Sequence, residues 1–215
     1  MVNIIKSLDN SQEQIIKNIL DLHSSNRIID IDLTYSKGQF YKSGLVPQPV
    51  IKFDLEPQTV DTIKCSSEST PYMSSTMNTI MFDPPFVIAG KTYKDNVDGS
   101  SKNAKRFGAY ENYEQLKNHY YNTLKECHRL LKDNGILIFK LQNTVSSGKQ
   151  HWTHFFVMKS AMELGYYVKD EFVLHNKSKL TSFGGKWTTQ QHAMKHHSYF
   201  LVLKKSSNKV NYNIQ

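Results

Sequence analysis

The sequence predicts an α/β fold in which a mostly parallel sheet carries helices on both faces, and three observations predict it. Short β-branched apolar runs alternate with longer segments of helical period, and several of those runs end in an acid. The 215 residues suffice for one full core but not for two comfortable ones. The chain therefore reads as a single domain over 1–205 followed by a polar tail over 206–215.

Ser11 and Gln14 have capping-box spacing, and Ile15, Ile16, Ile19, Leu20 and Leu22 then recur on one face, which predicts a helix over 11–23. Ile28 to Leu33 reads as the first strand, stopping at the polar turn Thr34-Tyr35-Ser36-Lys37-Gly38. Val50 to Asp54 repeats that form, and Thr79 to Phe82 is a third apolar run ending at Asp83. Between 55 and 78 the chain is polar, with Val60 to Ile63 as the candidate for one more short strand. Residues 87–112 carry Lys91, Lys94, Lys102, Lys105 and Arg106 among Gly, Ser and Asn without either periodicity, and they read as a long basic loop.

Tyr113, Leu116, Tyr120, Leu124, Cys127 and Leu131 step by three and four, marking a helix that ends before Asn134-Gly135. Ile136 to Leu141 is the next strand. A helix over 152–164 presents Trp152, Phe155, Phe156, Ala161 and Leu164 and closes at Gly165, with Trp152 read as helix core or as a substrate contact. Tyr166 to Leu174 and Ser198 to Leu203 close the sheet. In such folds ligands sit at the carboxyl ends of the strands, where the terminal acids fall.

Hydrophobic residues at 39% and charged residues at 21% exclude both a disordered chain and a membrane span, and no membrane partner is expected. The amino-terminal apolar stretch is too short for a secretory signal, so a cytoplasmic location is expected. Cys65 and Cys127 lie far apart, which excludes a zinc ribbon and a disulfide framework. His192, His196 and His197 have no acid or cysteine beside them, so no metal is expected. Gly148-Lys149 lacks the flanking residues of a phosphate loop. A net charge of +8 favours a polyanionic partner, nucleic acid first among them. The residues say nothing of a protein partner or of a homo-oligomer.

Asp83-Pro84-Pro85-Phe86 carries the chemistry. An exocyclic base amine is a poor nucleophile because its lone pair is delocalised into the ring. The Asp83 carboxylate can accept one amino hydrogen and the Pro84 carbonyl the other, turning the lone pair outward. Successive prolines forbid helix and keep the acceptors aimed at one point, while Phe86 offers a stacking face to an extruded base.

At these residues the sequence resembles the amino-methyltransferases of nucleic acids, in which an Asp-Pro-Pro-aromatic motif ends the fourth strand of a Rossmann-like sheet. It is most similar to small phage-type and bacterial DNA methylases. The resemblance covers roughly 27–204, with secondary matches in Lys140-Leu141-Gln142-Asn143, Ser146-Ser147-Gly148-Lys149, Trp152 and His197-Ser198-Tyr199-Phe200. It implies a Rossmann-like methyltransferase fold and S-adenosylmethionine as cofactor. The implied target is a DNA base amine, adenine N6 ahead of cytosine N4, with structured RNA as an alternative polymer. By this resemblance Asp83, Pro84, Pro85 and Phe86 are catalytic. Asp30, Asp32, Thr34 and Gly38 line the cofactor, and Asp54 binds its ribose. Lys91, Lys105, Arg106, Lys149 and Trp152 are candidates for contacting substrate, on basic loops at 90–106 and 176–197. The glycine-rich signature of that family is reduced here to Gly38, which keeps open a degenerate binding or scaffold protein on the same fold.

Overall fold

The computed structural model describes residues 4–88, 109–176, 189 and 191–206. Lys91, Lys105 and Arg106, and all of the tail beyond 206, lie outside the described residues. The elements in chain order are β1 (Leu8–Asp9), α1 (Gln12–His23), β2 (Ile31–Asp32), a 3-10 turn (Gln39–Tyr41), β3 (Ile51–Asp54), β4 (Ile63–Lys64) and β5 (Met77–Phe82). They continue with α2 (Tyr113–Leu130), β6 (Leu131–Leu141), β7 (Thr144–Ser146), β8 (Lys149–His151), α3 (Thr153–Glu163), β9 (Tyr166–His175) and β10 (His197–Lys205).

Eight strands form one sheet in the order β1-β9-β10-β6-β5-β2-β3-β4. Neighbours from β4 to β6 pair in parallel, and β10 enters antiparallel between β6 and β9. Both faces are covered, and the strand alternation assigns the side chains. Leu137, Phe139 and Leu141 of β6 join Ile80 and Phe82 of β5 and Leu201 and Leu203 of β10 on the face that receives α2 and α3. Ile136, Ile138, Met81, Phe200 and Val202 point the other way, against Ile15, Ile16, Ile19 and Leu20 of α1 and against Phe40 and Tyr41. Each such side chain contributes about 1.5–3 kcal/mol when fully buried.

Ser11 caps α1 and accepts from the Gln14 amide at 3.2 Å, while Leu22 turns outward instead of joining the helix's buried stripe. The ladder of β2 is shorter than the run Ile28 to Leu33, yet amide bonds from Asp30 to Thr79 O and from Leu33 to Met81 O extend its pairing on both sides. The edge strand forms at Ile63–Lys64, and Val60 is fully exposed. Trp152 is the residue before α3 and is 60% exposed, so it is not core. Phe155 is likewise exposed, because the buried stripe of α3 runs through Thr153, Val157, Ser160 and Ala161. Strands β7 and β8 form a hairpin that periodicity does not reveal, turning at Ser147 (φ +51°) and Gly148 (φ +71°), the pair of left-handed residues a two-residue hairpin loop requires.

Candidate active site

Strand register builds the site. Phe82 pairs with Phe139, so Asp83 and Lys140, one residue further on, meet across the carboxyl ends of β5 and β6. The Asp83 Oδ2 to Lys140 Nζ distance is 3.0 Å. The Lys140 ammonium is enclosed further by the rings of Phe40 (5.1 Å) and Phe200 (5.8 Å) and by Gln12 Oε1 (3.4 Å). The Asp83 amide donates to Thr34 Oγ1 at 2.7 Å, tying the motif to the loop that leaves β2.

The prolines are anchored from the other face. Tyr120 of α2, wholly buried, donates its hydroxyl to the Pro85 carbonyl at 2.7 Å. Its ring lies edge-on to Phe82 and Phe139, so the hydroxyl is positioned by core packing. Pro84 is buried, and Phe86 is half-buried. The neighbouring His119 is bound on both ring nitrogens, to the Tyr110 hydroxyl at 2.6 Å and to Ser67 Oγ at 2.8 Å, and burial holds its pKa below the ordinary value.

Asp32 ends β2 with no exposed surface. Its Oδ2 accepts from the Tyr41 hydroxyl at 2.6 Å, and its Oδ1 accepts from the Thr34 amide at 2.9 Å. Burial pushes its carboxyl up to about 7; the Tyr41 and Thr34 hydrogen bonds oppose the rise, and the charges of Asp83 and Asp54 add to it. Tyr41 stacks on Tyr35 with ring centres 5.6 Å apart, and Tyr35 explains the lone glycine. Gly38 adopts φ +63°, and a Cβ there would lie 2.4 Å from the Tyr35 hydroxyl. Asp54 ends β3 and accepts the amides of Ser36 and Glu56, each at 2.8 Å.

Asp30 is not brought to this edge. It precedes β2, and its Oδ2 is taken by the backbone amides of Asn78 and Thr79 at the start of β5. Lys149 and Trp152 do lie on the carboxyl side, exposed on β8 and at the start of α3. His151 stacks on Tyr113 at 4.1 Å, and Lys195 Nζ stands 5.9 Å from the Trp152 ring. Gln142 donates to the His197 carbonyl at 2.9 Å, fastening the end of β6 to the start of β10.

Lys140, Tyr41 and Tyr120 are absent from the sequence-based site. Lys140 carried a usable signal, since a charge inside an apolar strand demands a buried partner. The tyrosines carried none, because aromatic residues at those positions read equally well as core.

The family model for N6/N4 DNA methylases matches residues 77–215, well over half of the chain. The chain belongs to the DNA methylase family. The matched span opens at β5 and so holds the Asp-Pro-Pro-Phe motif and Lys140, whereas Asp32, Thr34 and Asp54 precede it. No curated protein matches the chain. Among solved structures, a Thermus thermophilus protein provisionally assigned as a DNA modification methylase, complexed with S-adenosyl-L-methionine, is 14% identical, with TM-score 0.45, covering 69% of this chain and 56% of that one. The cytosine-N4-specific PvuII DNA methyltransferase is 17% identical, with TM-score 0.46 and coverage of 63% and 45%. The chain therefore spans about half the length of those proteins. TrmN of Thermus thermophilus is 11% identical over 92% of this chain and 50% of its own, with TM-score 0.51, a likeness of fold.

Proposed function

We propose that the chain is an S-adenosylmethionine-dependent DNA methyltransferase acting on an exocyclic base amine, adenine N6 ahead of cytosine N4, with the catalytic unit spanning 1–205. The observation that carries this reading is the Asp83 carboxylate at the end of β5, held by Lys140 while Thr34 holds its backbone amide, with a proline carbonyl directly after it. Family membership supports the reading of the motif.

The residues around β2 and β3 suit the cofactor. Asp54 retains acceptor lone pairs beyond the two amides it binds, enough for ribose hydroxyls. Asp32, poised near neutrality, gains from a cationic neighbour, since positive charge favours its ionised form. Bound there, S-adenosylmethionine supplies an electrophilic methyl on a sulfonium. Asp83 and the Pro84 carbonyl accept the two amino hydrogens and turn the nitrogen lone pair out of the base plane, while Phe86 stacks on the base. Lys149 and Trp152 hold the strand. No described helix is long and apolar enough to cross a membrane.

Transfer of a tritiated methyl group to separate DNA, RNA and protein pools, followed by nucleoside identification, tests the reading. Label in DNA as N6-methyladenine, lost in Asp83→Ala, is expected. N4-methylcytosine reassigns the base, label confined to RNA reassigns the polymer, and label confined to protein refutes a nucleic-acid enzyme.

A further inference from the structure

Lys140 stands out because a lysine in the middle strand of an apolar sheet is held on every side. Its ammonium meets Asp83 Oδ2 at 3.0 Å, the rings of Phe40 and Phe200 at 5.1 and 5.8 Å, and Gln12 Oε1 at 3.4 Å. Its side chain is only 12% exposed. A long flexible side chain so enclosed has few alternatives, so its charge serves as a fixed point for the carboxylate it touches. The cage draws on the end of β5, α1, the 3-10 turn and β10, four separate pieces of chain converging on one nitrogen of β6.

Resting on the methyltransferase reading, we infer that Lys140 is the positioning residue of Asp83 and, through Asp83, a determinant of the substrate class. By engaging Oδ2 it leaves Oδ1 as the oxygen turned to an incoming amine, and the Thr34 contact on the Asp83 amide fixes the backbone from which that carboxylate swings. By balancing the charge of Asp83 it shapes an acceptor for a neutral, conjugated amino group. A protonated alkylamine, such as a polyamine or a lysine side chain, would bring a second ammonium against the first, with no further charge on Asp83 to balance it. The site is thereby matched to an aromatic exocyclic amine and set against aliphatic ones.

Lys140→Met keeps the apolar stem and removes the ammonium, and Lys140→Arg keeps the charge and the donor. With an oligonucleotide substrate, Lys140→Met is expected to lower kcat by about 100-fold through misplacement of Asp83, with KM little changed, and Lys140→Arg is expected to restore a substantial part. Affinity for S-adenosylhomocysteine, measured by calorimetry, stays within about twofold in both variants, as expected of a residue that acts on the reaction through Asp83 and not through the cofactor. The native chain is expected to label no spermidine or lysine peptide. An unchanged kcat in Lys140→Met, a loss carried wholly by KM, a loss of S-adenosylhomocysteine binding, or failure of Lys140→Arg to recover activity overturns the positioning role. Labelled spermidine from the native chain overturns the selectivity. A native chain that labels no nucleic acid refutes the methyltransferase reading itself, which is a separate result.

Discussion

Asp83 and Asp32 stand at the same edge, one strand apart, and the protein holds them by opposite means. Asp83 is partly exposed and is anchored by a full ammonium at 3.0 Å, so its orientation rests on charge. Asp32 is wholly buried and is held by a phenol and an amide, neutral donors that do not offset desolvation, and its carboxyl is pushed up to about 7. The same residue type thus becomes a rigid acceptor in one place and a titrating group in the other. The difference is set by what packs around each: a caged lysine beside β6, a tyrosine pair beside β2.

The sharpest way to break the comparison is to remove the charged half. Asp83→Ala is expected to lower kcat by about 10²- to 10³-fold while leaving S-adenosylhomocysteine binding intact, as measured by single-turnover transfer and calorimetry. Asp32→Asn probes the neutral half through pH. The folded pKa of Asp32 is about 7 against an ordinary 3.8, so the folded chain keeps a proton that the unfolded chain loses. The resulting penalty is absent below the lower value, grows between the two and is constant above the upper one. The melting temperature of Asp32→Asn relative to the native chain should therefore rise from pH 4 to pH 7 and then level off, and a flat difference would remove Asp32 from that role.

Smaller effects sharpen the picture. Gly38→Ala should cost about 1 kcal/mol or more, because φ +63° is strained for alanine and the new methyl displaces the Tyr35 ring that stacks on Tyr41. Denaturant unfolding measures the cost, and a weaker pH dependence of stability would report the disturbance reaching Asp32. Tyr120→Phe removes the hydroxyl on Pro85 and should cost about 1 kcal/mol, with a drop in kcat and no change in S-adenosylhomocysteine affinity.

Much of the fold was legible because the central strands are buried on both faces and read as unbroken apolar runs between helical repeats. The acids Asp32, Asp54 and Asp83 were legible as strand ends. The alternation Ile29-Asp30-Ile31-Asp32 hid which acid reaches the edge, since that depends on the register of β2 against β5, which no local pattern encodes. Asp30 consequently turned out to brace the start of β5. Trp152 looked like core by its size and spacing, but its place just outside α3 leaves it exposed. The hairpin after β6 went unread, because the Ser147-Gly148 turn is flanked by strands too short and too polar to show alternation. Lys140 was marked locally as a charge inside an apolar strand, but its partners lie far off in sequence, from Gln12 to Phe200, so its role could not be read there.

The antiparallel insertion of β10 between β6 and β9 has a consequence for synthesis. A ribosome delivers β9 before the strand that joins it to the sheet exists, so β9 and the short β1 paired to it wait unattached while some twenty further residues emerge. A chain interrupted before His197 would expose the long flanks of β6 and β9 as open edges, ready to recruit strands from other molecules. Nascent chains of this protein should accordingly lean on chaperones until β10 arrives, and truncation within β10 should yield aggregates and not a shortened folded chain.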